Sequence, residues 1–162
     1  TPYADEAEKF VAKLALDMGV PFTRGKIQGT PQRGQSLEEF WRNERYEFLD
    51  AIGPAVVTAH HLDDAVETWV WSSCHGKPTL PHLVKGNIYR PFLACKKEAM
   101  RDTLTRTGRG WIEDPSNQNT DFTRNHIRTH VMPQLYKVNP GLDTVIQKKI
   151  QENVTFELVK KT

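Results

Sequence analysis

The chain has 162 residues, enough for one domain around one core, and a formal net charge of +2. That excess is too small to announce nucleic acid by itself, and 38% hydrophobic with 26% charged residues describes a globular chain rather than a disordered one. Cys74 and Cys95 make no disulfide framework, no apolar run approaches a membrane span and no signal peptide is visible, so a reducing, cytoplasmic setting away from membranes is expected.

In chain order, Ala7, Phe10, Val11, Leu14, Ala15 and Met18 fall at helical spacing, opened by Asp5 and Glu6 and stopped by Gly19. Val20 to Ile27 reads as a strand, and Pro31 to Gln35 as a polar loop. Ser36-Leu37-Glu38-Glu39 is a capping box. The helix it opens is expected to bury Leu37, Phe40, Trp41, Phe48, Leu49 and Ile52. Arg45 lies on that apolar face and must snorkel or find an anion, while Arg42 projects to the side near Glu38 and Tyr46. A strand at Ala55–Ala59 and a helix at Asp63–Ser73 follow, the helix striped by Ala65, Val66, Trp69 and Val70 and ended by His75-Gly76-Lys77-Pro78. Ile88 to Leu93 is a further strand and Lys96 to Thr107 a further helix, stopped by Gly108. After a turn at Glu113–Asn117, a helix runs from about Phe122 into Met132, where Pro133 should bend or break it. Leu142, Val145, Ile146, Ile150 and Val154 mark a last amphipathic helix. Strands alternating with helices predict a mostly parallel, doubly wound α/β sheet flanked by helices.

Thr58-Ala59-His60-His61-Leu62-Asp63-Asp64-Ala65-Val66-Glu67-Thr68 is the most telling run. It sets two histidines and two aspartates where a strand ends and a helix begins, the place where open α/β sheets bind ligands. Asp63, Asp64 and Glu67 share about one helical turn and repel one another unless a cation or hydrogen-bond donors offset them. Two readings stand side by side: a ligand site, or Asp63 capping the helix with the other acids solvated. Arg124 and Arg128, four apart, share a helix face and can clamp phosphates or a nucleic-acid backbone. From Arg90 to Arg128 basic residues outnumber acids, which offers a basic face, although a solvated surface is the default for such a run. Cys74, His75, His82 and Cys95 fit no tight zinc-ligand spacing.

Four blocks in register resemble the catalytic domain of the tRNA(Ile)-lysidine synthetase family, within the PP-loop (N-type ATP pyrophosphatase) superfamily. They are Ser36–Glu39 running to Arg42–Phe48; Thr58–Asp64 with Glu67-Thr68; Tyr89-Arg90-Pro91-Phe92-Leu93; and Trp111–Asn117 with Phe122–Arg128 and Val131–Leu135. The resemblance implies an adenine nucleotide alpha hydrolase-like fold, with residues 1–138 as a partial PP-loop catalytic domain and 139–162 as a linking helix. It implies ATP and Mg2+ as cofactors and tRNA(Ile) and free lysine as partners, and it leaves a homodimer open. ATP would adenylate the C2 oxygen of the wobble cytidine, and the lysine amine would then displace AMP. The implied catalytic residues are His60, Asp64 and either Arg45 or Arg42. Asp63, Glu67, Arg124 and Arg128 would serve the nucleotide, and Asp64 the metal. Glu113 and Asp114 are as apt for structural hydrogen bonds as for chemistry, and Asn125 for pinning backbone.

The superfamily's SGGxDS phosphate-binding loop does not occur in this sequence, and the match begins after the family's second strand. The expected fold is therefore incomplete at its N-terminus, and the chain alone should be inactive. A fragment of a longer protein is the favoured explanation. A loop supplied by another polypeptide and a degenerate, non-catalytic binding module are the others. The rival chemistry is thiolation of a tRNA base or amidation of a small substrate; against thiolation stands the absence of a CxxC pair.

Overall fold

The computed structural model describes residues 2–159, with side chains through residue 153. Helix α1 (Pro2–Asp17) ends at Gly19, whose φ of 65° is the left-handed conformation that stops a helix. The expected strand Val20–Ile27 is not formed: the segment is irregular and exposed, and among the described residues no strand pairs with it. A strand is stable only in a ladder, so β-type composition alone does not make one. Within this segment Gly25 lies against the Phe48 ring so closely that a Cβ would sit 2.6 Å from a ring carbon.

Helix α2 (Leu37–Ile52) starts at the expected N-cap, with Ser36 Oγ accepting from the Glu39 N–H at 3.1 Å, but the second half of the capping box, Glu39 reaching back to the Ser36 N–H, is not formed. Its apolar stripe is not buried as expected. No residue of α2 is fully buried, and Leu37 (52%), Trp41 (40%) and Ile52 (49%) keep large exposures. The stripe exists, but the described residues give it little to pack against.

The sheet is smaller than predicted and mixed. Strand β1 (Val56–Val57) pairs parallel with β3 (Ile88–Tyr89), which pairs antiparallel with β2 (Val84–Lys85), in the order β1-β3-β2. The β2–β3 hairpin was not foreseen. It turns through Gly86 at φ 60° and Asn87, a glycine-first two-residue turn. Pro91, without an N–H, cuts the expected Ile88–Leu93 strand short. The doubly wound arrangement is thus not what the described residues form.

Helices supply the core. Leu62, Ala65, Val66 and Val70 of α3 (Leu62–Cys74) pack with Leu93, Ile127, Met132 and, from α7 (Leu142–Val159), Leu142, Ile146 and Ile150. The side chain of Val154, expected on the same stripe, lies outside the described residues. Helix α4 (Lys97–Arg106) matches its predicted span closely. Pro133 does not break the following segment, which runs as α5 (Thr123–His126), a π-helical stretch (Ile127–Val131) and α6 (Met132–Val138). A proline ring clashes with the carbonyl four residues back, here Thr129. The wide π turn spanning that residue lets the helical path continue.

Candidate active site

The loop after β1 delivers His60 and His61 to the start of α3. His61, not Asp63, is the N-cap: its Nδ1 accepts from the Asp64 N–H at 3.4 Å, and Asp64 Oδ2 accepts from the His61 N–H at 3.0 Å. Asp63 turns the other way and caps α4, accepting from the Lys97 N–H at 3.0 Å. His61 Nδ1 also lies 3.3 Å from Asp63 Oδ2. The imidazole and this backbone bond hold the Asp63 carboxyl well below the usual aspartate range, against the effect of burial.

The repulsion expected among the three acids is relieved by guanidinium groups. Arg124 Nη2 donates to Asp64 Oδ1 and Arg124 Nε to Glu67 Oε2, both at 2.9 Å. Arg128 grips Glu67 with two bonds, Nε to Oε1 at 2.6 Å and Nη2 to Oε2 at 3.0 Å. Glu67 is 4% exposed, so these bonds are what make its burial tolerable. Two carboxylates against two guanidinium groups close to neutrality. The widened backbone from Ile127 carries Arg128 beside Arg124 on the flank of α3.

In front of this network lies a cavity of about 660 Å3, within the usual range for a small-molecule site. It brings together Arg42, Arg45, His60, Asp64 and Arg124. Asp63, Glu67 and Arg128 are not on its lining; they stand behind it or beside it. Neither Arg42 nor Arg45 has an acidic partner among the described residues, so the ion pair conceivable for Arg42 with Glu38 is not made. The Arg42 guanidinium lies instead over the Tyr46 ring, 5.3 Å from its centroid. With Asp64 neutralised by Arg124, these two cations face only Glu38 among the lining acids, and the cavity favours an anion. Trp41 and Phe122 add aromatic surface to the lining, their ring centroids 6.2 Å apart. Arg45 also borders a second cavity of about 310 Å3, against Gly25–Ile27 and Phe48.

His60 Nδ1 and Thr58 Oγ1 are 2.9 Å apart. Burial pushes the imidazole below its usual range despite the pull of Asp64, and Arg90, Arg124 and Arg42 push the same way. His60 is therefore neutral near pH 7. In the tautomer whose Nδ1 accepts from the Thr58 hydroxyl, its Nε2–H is a donor.

Several residues outside the candidate set shape the site. Asn125 donates to the Ser116 and Asn119 carbonyls, both at 2.8 Å, and so pins the loop whose Ser116 and Asn117 line the cavity. Asp114 caps the short 3-10 turn Pro115–Gln118, and Glu113 accepts from the Trp111 indole and pairs with Arg101; neither lines the cavity. Arg90 and Tyr46 were missed. Their signal was present, since both lie inside the family-like blocks, but the burial of a lone guanidinium is invisible in a sequence. Among the described residues no group of three or more His, Cys, Asp or Glu is placed to hold a metal ion. Asp64 nonetheless fits as a single carboxylate ligand, because each oxygen keeps a lone pair beyond those given to Arg124 and the His61 N–H. No helix of the described residues is long and apolar enough to cross a membrane.

The chain is 32% identical over 146 residues to a tRNA(Ile)-lysidine synthase of Legionella pneumophila (strain Lens), covering 83% of this chain and 33% of that protein. It is 35% identical over 144 residues to the enzyme of that name from Thermus thermophilus, covering 83% and 28%. Against that from Pseudomonas putida the identity is 37% over 120 residues, covering 67% and 28%. The chain thus spans about a third of the length of these curated relatives. Residues 1–135 match the model of the PP-loop domain. With that match covering most of its length, the chain belongs to the PP-loop domain family.

Proposed function

We propose that the chain is the chemical centre of a tRNA(Ile)-lysidine synthase acting in the cytoplasm. The reaction is adenylation of the wobble cytidine of tRNA(Ile) by ATP, followed by ligation of free lysine. The observation that carries this reading is one cavity gathering Arg42, Arg45, His60, Asp64 and Arg124 from α2, the loop after β1, α3 and α5.

In the first step the C2 oxygen attacks the α-phosphorus and pyrophosphate leaves, so negative charge builds on the phosphoryl oxygens. Arg42 and Arg45, free of acidic partners, offset that charge. Neutral His60 donates a hydrogen bond to the reacting phosphate or orients the base without adding a charge. Arg124, held by Asp64 and Glu67, presents a fixed cation; Arg128 and Glu67 keep it in place. Asp64 is the proposed ligand of Mg2+, which when bound neutralises phosphate charge. In the second step the lysine amine attacks C2, AMP leaves, and the ammonium proton passes to a carboxylate. Asp64 and Glu38 are the carboxylates on the lining. Asp63 serves by locking α4 onto α3.

We also propose that residues 1–138 form the catalytic part and residues 139–162 connect it onward, with α7 docked on α3 through Leu142, Ile146 and Ile150. The short mixed sheet is then one portion of a doubly wound, adenine nucleotide alpha hydrolase-like domain. Thiolation is the weaker reading, because neither Cys74 nor Cys95 lines the cavity.

The test is incorporation of labelled lysine into tRNA(Ile), by the product of the full open reading frame and by this chain alone. Activity is expected from the former and none from the latter, which has no glycine-rich loop. Arg45→Ala or Asp64→Asn should lower the rate about 100-fold while circular dichroism is unchanged. Full activity in both variants would remove these roles, and ATP-dependent sulfur incorporation without lysine would favour thiolation.

A further inference from the structure

Arg90 is 4% exposed, and among the described residues no carboxylate pairs with it. A buried, unpaired guanidinium is expensive and persists only where its hydrogen bonds hold something in place. Here Nη1 donates to the His82 carbonyl and Nη2 to the Tyr46 hydroxyl, both at 3.0 Å. The Arg90 backbone N–H donates to the Leu83 carbonyl at 2.8 Å, so the residue is anchored to the hairpin at both ends. Tyr46 sits on the adjacent helix, and the Arg42 guanidinium lies over its ring. Arg42 and Tyr46 both line the cavity; Arg90 does not.

We propose that Arg90, acting through Tyr46, is a positioning residue that fixes Arg42 toward the bound phosphate. This inference rests on the proposed function, in which Arg42 offsets phosphate charge. The physical reason is entropic and electrostatic. A partly exposed arginine has several free rotors, and a cation that must be ordered on binding gives part of its attraction back. A ring held in one orientation offers Arg42 a face to rest on and restricts it before the ligand arrives. The Tyr46 hydroxyl fixes the ring because it is tied to a guanidinium that has no freedom of its own. A lysine at position 90 could not replace it, since a single ammonium lacks the planar fork that reaches a carbonyl and a phenol at once. The arrangement also joins the sheet to α2, the helix that has no fully buried residue. A site built on so lightly packed a helix needs a strut from the better-anchored hairpin.

The experiment is a double-mutant cycle on ATP affinity, measured by titration calorimetry on the product of the full open reading frame. Arg42→Ala should weaken ATP binding about tenfold, the loss of one charge-assisted contact. Tyr46→Phe keeps the ring but removes the hydroxyl, and should weaken binding about threefold. The deciding measurement is Tyr46→Phe in the Arg42→Ala background, where no further loss is expected. An equal loss in both backgrounds means that Tyr46 acts without Arg42 and overturns the positioning role. Arg90→Lys should behave as Tyr46→Phe does; wild-type affinity in that variant also overturns it. If Arg42→Ala itself binds ATP normally, the role given to Arg42 in the proposed function fails, and this inference with it. Thermal unfolding of each variant accompanies the cycle. Should Arg90→Lys fail to fold, the Tyr46→Phe pair still decides.

Discussion

At the scale of single residues, two side chains show how the site's electrostatics are set. His60 is held below the usual imidazole range by burial first, and then by the guanidinium groups of Arg90, Arg124 and Arg42. The folded protein therefore takes up the His60 proton less readily than the unfolded chain, whose imidazole titrates near 6.5. Above that pH both forms are neutral and nothing is lost. As pH falls below it the unfolded state gains the proton first, and stability declines until the folded imidazole titrates as well. Urea unfolding at pH 7.5 and at pH 5.5 should show a smaller acid-side drop for His60→Gln than for the wild type. Glu67 is the second case. Removing it leaves Arg124 and Arg128 without their main partner and a hole in the flank of α3. Because both arginines are about a third exposed, the cost falls at the low end for a broken buried pair. Glu67→Ala should lower stability by about 3 kcal/mol in equilibrium denaturation.

At the scale of elements, most helix spans were readable, while of the strands two formed only as short pieces of the expected runs and Val20–Ile27 did not form. The stop at Gly19, the Ser36 cap and the spans of α3 and α4 follow from local chemistry, which acts within a few residues and needs no distant partner. Val20–Ile27 has the composition of a strand, yet among the described residues no strand lies beside it to complete the hydrogen bonds. Helix α2 teaches the same lesson about burial. Its stripe predicts a buried face, and the structure leaves Leu37, Trp41 and Ile52 exposed. Leu37→Ala should therefore change stability by no more than about 0.5 kcal/mol, as a surface substitution does. A drop of several kcal/mol in the same denaturation measurement would show that this face is covered in solution.

At the scale of the whole molecule, stability rests on α3, clasped by α7 and by the π-helical segment, rather than on the sheet. Ile146 is fully buried in that cluster, among residues from distant parts of the chain. Ile146→Ala should cost about 3 kcal/mol and lower the thermal midpoint by several degrees. The same clasp orders the site. Asp64 and Glu67 project from α3, Arg124 from α5 and Arg128 from the π turn, and the core fixes the distance between these helices.

The sequence alone determined which residue types cluster near the end of β1, where most helices start and stop, and the family to which the chain belongs. These follow from local spacing and from motifs that lie contiguous along the chain. Only the tertiary structure decided which acid does what. Asp63 caps another helix, Glu67 is sealed beneath two arginines, and Asp64 alone of the three reaches the cavity. Three carboxylates within about one turn point in different directions around a helix, and their partners come from segments some 34 to 61 residues away. No spacing rule reaches that far: the sign of the field around a residue is a sum over neighbours that only folding brings together.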